Sequence, residues 1–334
     1  MTRIYGLDLW RSGLLLVGPL IHSTSPGYIS DASSLFRMQV FFFIAGFLSA
    51  HASEKQADWT VRRYVQLGVP VITVWLFVLI PTKILVGKSS FEDLISPDHL
   101  WFMIDLIIAT FATTKSKFVL NIVSKLLTKN PVSLVCGFVC ISSFLSTLQY
   151  PIEHTPFYYL VIMMLKSPLF ILCYVAGAIV YKNKEVFGLI DSWQIRFISV
   201  VVVLLVYTAM ILFGGLIHTH GKFFILKLVL SCATGLTGSL SCLFVISSSI
   251  KINWRPRIVA ILSKSSYSIY LFHLPFILLI SYYLSDNISH KIYFLLLSSG
   301  SFFASWALHY ILISRSHISR LAFNGVMPVK FARP

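Results

Sequence analysis

Apolar stretches follow one another along almost the whole chain, separated by brief polar breaks. A membrane-spanning helix needs about 20 mostly apolar residues. That ruler picks out segments at residues 6–22, 35–51, 67–86, 99–114, 131–150, 156–181, 195–217, 222–250, 258–284 and 290–313. The pattern predicts an all-α fold: a polytopic integral membrane protein of about ten transmembrane helices. No stretch reads as a repeat array, a low-complexity linker or a separate soluble domain. Residues 1–334 therefore read as one transmembrane domain, with residues 314–334 as a short basic cytoplasmic tail. The first segment contains Gly18-Pro19, which predicts a kink or a broken end. No small-residue cleavage site follows it, so it reads as a retained first helix.

Composition agrees with lipid as the solvent. The chain is 57% hydrophobic and 12% charged, where a soluble domain carries roughly 25% charged residues. The net charge of +15 would suggest nucleic acid in a soluble protein. Here topology accounts for it. With the N-terminus in the cytoplasm, all basic residues fall on the cytoplasmic side except Arg37, Lys83, Lys88, Lys166, Lys222, Lys227 and Lys291. That bias predicts both termini in the cytoplasm, no nucleic-acid partner, and a basic tail lying on anionic lipid. The five cysteines all sit in apolar runs and show neither disulfide nor zinc spacing.

Ionisable groups inside spans are costly and mark candidate sites. The first helix carries Asp8, Arg11 and His22. At 100° per residue, Arg11 and His22 lie within about 20° of one face, and Asp8 within about 60° of both. They are about 16 Å apart along the axis, too far to bond in a regular helix. Two readings share this spacing: a polar track at two depths, or an Asp8–Arg11 interfacial pair with His22 among the headgroups. The second helix opens with Arg37, near the predicted depth of His22. That arginine either snorkels or serves chemistry. Arg62 and Arg63 are expected in the loop before the third helix, as phosphate ligands or as topology signals. His99 and Trp101 open the fourth helix, and Asp105 inside it needs a partner, for which Lys166 is a candidate. Tyr270 and His273 are i,i+3 neighbours in the ninth span, just before Pro275. That stretch also reads as an interfacial aromatic belt with a proline kink. His154, His218, His220 and His290 are spread over outer loops, and no metal site is expected.

Taken in order, several of these stretches resemble acyltransferase family 3. The first is Asp8-Leu9-Trp10-Arg11 followed by His22, an Arg-x10-His pairing. Next comes Phe41-Phe42-Phe43-Ile44-Ala45-Gly46-Phe47, with Ala45 where the family usually has serine. Arg62-Arg63 precedes the third helix, and Ser266-Tyr267-Ser268-Ile269-Tyr270-Leu271-Phe272-His273-Leu274-Pro275 closes the set. Arg37-Met38-Gln39, Gly68-Val69-Pro70 and His99-Leu100-Trp101-Phe102 are similar to the branch that succinylates periplasmic glucans.

The resemblance implies transfer of an acetyl or succinyl group from cytoplasmic acyl-CoA to a hydroxyl of an extracytoplasmic carbohydrate. Acyl-CoA would be a co-substrate, with no cofactor held permanently. It makes His22 the general base or an acyl relay, with Arg11 and Asp8 beside it in the catalytic set. Arg11, with Arg62 and Arg63, would bind the anionic donor from the cytoplasmic side. Arg37 would stabilise the oxyanion or pair with a succinyl carboxylate. His99, Trp101, Tyr270 and His273 are left as acceptor-binding or structural candidates. The setting implied is a bacterial inner membrane. A polytopic transporter or flippase for a glycan or anionic small molecule is the competing class, although no internal repeat supports it. A non-catalytic sensor or scaffold descended from an acyltransferase is a further alternative.

Overall fold

The computed structural model describes residues 5–23, 36–55, 58–96, 98–115, 130–147, 158–219, 224–252, 254, 256–284 and 288–326. Within these, the side chains of 15, 16, 20–22, 55, 115, 158–166, 184, 210, 211, 213–219 and 224–227 are not described. The described chain is helical. The elements are α1 (Tyr5–His22), α2 (Arg37–Lys55), α3 (Trp59–Leu85), α4 (Phe91–Ile95), α5 (Trp101–Lys115), α6 (Pro131–Thr147), α7 (Tyr158–Lys182), α8 (Lys184–Ile190), α9 (Trp193–Thr219), α10 (Phe224–Lys251), α11 (Arg257–Tyr283), α12 (His290–Ile313) and α13 (His317–Asn324). Five long helical stretches are apolar enough to cross a membrane: Trp59–Leu85, Phe91–Thr114, Leu228–Lys251, Arg257–Tyr283 and His290–Ile313. Pro131–Thr147, Ser167–Lys182 and Trp193–Ala209 are shorter apolar helices. Large side chains such as Phe77, Leu205 and Phe303 stay more than half exposed, as lipid-facing positions do.

Several boundaries differ from the sequence reading. α3 begins at Trp59, so Arg62 and Arg63 lie inside a helix and not in a loop. The added turns are polar, and a ruler tuned to apolar length cannot register them. Asp58 at the N-cap pairs with Arg62 at i,i+4 and supports the early start. α4, α8 and α13 had no apolar signal and were not anticipated. All three begin at a serine or asparagine cap: Ser90 accepts from Asp93 N–H, Asn183 from the N–H groups of Glu185 and Val186, and Ser316 from Ser319 N–H. In the first helix, α1 runs through Pro19 and ends at His22, where the Ser23 hydroxyl donates to the Pro19 carbonyl.

The chain forms two compact units. The first takes in Met1–Trp10, Asp31–Gln56 and Ile108–Trp254. Here small residues let helix backbones meet. A Cβ on Gly46 would lie 1.9 Å from the Tyr174 carbonyl oxygen, and one on Gly177 2.0 Å from that of Phe43. α2 and α7 therefore touch backbone to backbone, with Phe42 stacked on Phe170 at 5.0 Å between ring centroids. Asp8 and Arg37 belong to this unit and are partly buried.

The second unit takes in Arg11–Ser30, Ala57–Ile107 and Arg255–Pro334. Its core is Val74, Leu79, Leu100, Leu271, Phe272 and Ile313, contributed by α3, α5's entry turn, α11 and α12. Serines are tolerated in these helices because their hydroxyls donate back to carbonyls one turn earlier, as Ser265 does to Ile261 and Ser305 to Ser301. α3 widens into a π turn at Trp75–Leu79, immediately before Pro81. Proline lacks an N–H, and the wider turn shifts the ladder past that gap. α13 packs on α3 through Gly325, whose left-handed φ of 60° and close approach to Gln66 exclude any side chain.

Candidate functional site

Two polar clusters lie inside the second unit. The first surrounds Tyr267 on α11. Its hydroxyl donates to the Gln66 carbonyl at 2.8 Å, tying α11 to α3. The guanidinium groups of Arg63 and Arg11 both lie within electrostatic reach of that hydroxyl. Arg63 donates from Nη1 to Gln66 Oε1 at 3.2 Å, and its buried Nε has no hydrogen-bond partner among the described residues. Arg62 points elsewhere: its Nε meets Asp58 Oδ2 at 2.5 Å in a pair more than a third exposed. The arginine doublet is therefore split in role, because neighbours on a helix diverge by 100°.

The second cluster joins the 3-10 turn Asp98–Leu100 to α11. His99 donates from Nε2 to the Leu271 carbonyl at 2.9 Å. The Tyr270 hydroxyl donates to the His99 carbonyl. His273 lies edge-on to His99, with centroids 5.1 Å apart. Its Nδ1 donates to the Tyr270 carbonyl at 2.7 Å, as expected of residues three apart on one helix face. Phe102 packs on Tyr270 at 5.2 Å, and Trp101 packs edge-on to Phe102 at 6.4 Å. His99 and His273 are both almost wholly buried.

What aims His99 is an unusual turn. Asp98 has φ 43°, the left-handed region that L residues avoid at a cost on the order of 1 kcal/mol. Lys83, 3% exposed, holds it there: its ammonium pairs with Asp98 Oδ2 at 2.7 Å and donates to the carbonyls of Ser96 and Asp93. Ser96 Oγ adds a hydrogen bond to Asp98 Oδ1 at 2.8 Å. Sequence reading counted Lys83 only as a basic residue on the outer side. No local signal links it to a residue fifteen positions on. His309 was missed likewise. It lies in the π turn of α12 and donates from Nδ1 to Ser268 Oγ at 2.7 Å, while Ser268 donates to Asn324 Oδ1.

Among the singled-out residues, Arg11 and Arg63 each lie within electrostatic reach of Tyr267, and His99, Tyr270 and His273 come together. Asp8 and Arg37 sit in the first unit, half-buried. His22 closes α1, and its side chain lies outside the described residues, as does Lys166, the partner considered for Asp105. Asp105 itself is fully buried. Among the described residues, no group of three or more His, Cys, Asp or Glu is placed to hold a metal ion.

The described chain is helical, with several helices long and apolar enough to cross a membrane, and the class it points to is a polytopic membrane protein. A family model described as an acyltransferase domain matches residues 4–310, and the chain belongs to acyltransferase family 3. It is also similar to the glucans biosynthesis protein C of Salmonella typhi and that of Salmonella typhimurium strain LT2. Each is 30% identical over an alignment of 145 positions that takes in 32% of this chain. The match spans 37% of the length of those relatives. No solved structure matches the chain.

Proposed function

We propose that the chain moves an acetyl or succinyl group from cytoplasmic acyl-CoA to a hydroxyl of an extracytoplasmic carbohydrate, such as a glucan, an O-antigen or another polysaccharide. It does so as one transmembrane domain of about ten spans in a bacterial inner membrane, with both termini and the basic tail at the cytoplasmic face. The observation that supports this reading is that Arg11 and Arg63 both lie within electrostatic reach of Tyr267, with a buried Arg63 Nε left without a hydrogen-bond partner among the described residues. Two guanidiniums and an unmet donor suit an anionic ligand, and the phosphates of coenzyme A are such a ligand. Arg62, held by Asp58, adds charge at the rim.

In this scheme His22 takes the proton of the acceptor hydroxyl, and the oxygen attacks the thioester carbonyl. Arg37 stabilises the oxyanion or pairs with the distal carboxylate of a succinyl donor. The tetrahedral intermediate expels the coenzyme A thiolate, which takes up the proton. Asp8 orients the polar face of α1. The likeness to the glucans biosynthesis proteins favours a glucan acceptor.

The test is mass spectrometry of polysaccharide from cells expressing the unmutated chain or His22→Ala at matched membrane levels. An ester present with the first and missing with the second is the expected outcome, and its mass names the donor. An ester that persists in His22→Ala removes the base from this scheme.

A further inference from the structure

Among the described residues, nothing donates to one buried ring nitrogen of His99. A carbonyl oxygen only accepts, so the bond from Nε2 to Leu271 places the proton on Nε2. The neutral ring then carries its lone pair on Nδ1. That atom is buried and has no hydrogen-bond partner among the described residues, in a side chain 4% exposed. A buried acceptor left unmet is unfavourable, and the polypeptide tolerates it where a guest supplies the donor. The surroundings define that guest. Lys83 is already bonded to Asp98, Ser96 and Asp93, so it offers His99 no proton. The Tyr270 hydroxyl is committed to the His99 carbonyl, and the His273 Nδ1–H to the carbonyls of Tyr270 and Ile269. The rings of Tyr270 and His273 stand against the imidazole, and Phe102 packs on Tyr270 behind it. Aromatic faces beside a neutral acceptor suit a sugar ring, which offers C–H faces for packing and hydroxyls that donate.

We propose that His99 is an acceptor-binding residue: its Nδ1 takes a hydrogen bond from a hydroxyl of the carbohydrate, and the Lys83–Asp98 pair positions it through the left-handed turn at Asp98. This rests on the acyltransferase reading above. Burial of Nδ1 in the unliganded chain means that the aromatic side chains shift when the sugar enters. The backbone bonds of the turn hold the imidazole in place meanwhile.

The two amides that mimic histidine separate this role from a structural one. His99→Gln extends its amide towards the Nε2 position, so it keeps a donor for Leu271 and loses the Nδ1 acceptor. His99→Asn places an amide oxygen near Nδ1 and loses the bond to Leu271. Purified protein is assayed with acetyl-CoA or succinyl-CoA and a soluble glucose oligosaccharide. Expected is a rise of about tenfold in the acceptor KM for His99→Gln, the loss of roughly one hydrogen bond. Its KM for acyl-CoA stays unchanged, and His99→Asn retains most of the acceptor affinity. The reverse order, or two variants that match the unmutated protein, overturns the proposal. A second measurement on the unmutated protein decides the matter if the variants fail to fold. Exchange of the His99 C2 hydrogen for deuterium slows when the oligosaccharide is added without acyl-CoA; unchanged exchange overturns the proposal. An unmutated protein that acylates no carbohydrate removes the parent reading instead, which is a different result from active enzyme with an indifferent His99.

Discussion

Adjacent arginines on one helix face different surroundings. Arg62 meets Asp58 in a solvent-accessible i,i+4 pair, an interaction worth about 0.5 kcal/mol. Arg63 has a buried Nε, is bonded to Gln66 and lies within electrostatic reach of the neutral Tyr267 hydroxyl. Removal of either lowers the positive charge by one, so a purely topological role would make the two substitutions equivalent. Donor binding makes them unequal. Arg63→Ala is expected to raise the KM for acyl-CoA by about tenfold, the size of one lost charge-assisted hydrogen bond, and Arg62→Ala by about threefold or less. Equal effects on steady-state kinetics would remove Arg63 from the donor site. Lys83 teaches a related lesson. Its charge looks like a surface residue in sequence, yet three oxygens surround it in a buried position. Desolvating an ammonium is tolerated only when it is fully paired, and this one is.

At the scale of elements, glycines in helices play opposite parts. Gly46 of α2 leaves no room for a Cβ against the α7 backbone, whereas Gly68 of α3 has nothing within 4 Å of where its Cβ would be. Gly46→Ala therefore forces α2 from α7 and is expected to destabilise by about 2 kcal/mol or more, as overpacking does. Gly68→Ala removes backbone freedom without a clash and is expected to be neutral or to stabilise by up to about 1 kcal/mol. Thermal unfolding of the detergent-solubilised protein compares them; a Gly46→Ala that melts with the unmutated chain would contradict the close α2–α7 contact. Both glycines look alike in sequence, each within an apolar run. The helices themselves were legible because an apolar stretch of sufficient length has few alternatives in lipid. The π turns in α3 and α12 and the caps of α4 and α8 were not, since they answer a local backbone mismatch and not a change in hydropathy.

For the whole molecule, the testable quantity is orientation. Basic residues collect on alternate breaks between apolar segments, and the C-terminal stretch holds Arg315, Arg320, Lys330 and Arg333. Moving such segments across a bilayer is unfavourable, so the C-terminus is expected in the cytoplasm. A C-terminal green fluorescent protein should then fluoresce, and a C-terminal alkaline phosphatase should be inactive. The opposite pair of results would invert the topology and put Arg11 and Arg63 on the wrong side for the proposed cytoplasmic acyl-CoA donor.

Family membership, helical character and the neighbourhood of Tyr270 and His273 were all written in the sequence, because each depends on residue order within a helix turn or on the length of an apolar run. The pairing of His99 with Leu271 was not, since 172 positions separate them. The same holds for the buried contact of Tyr267 with Gln66, 201 positions apart. Which atoms meet across such distances depends on how helices pack: on where a glycine admits a backbone, on where a proline shifts the ladder, and on a strained turn held by one buried lysine. Only the packed chain decides that Arg63 bonds to Gln66 while Arg62 pairs with Asp58, and that one ring nitrogen of His99 is buried with no donor among the described residues.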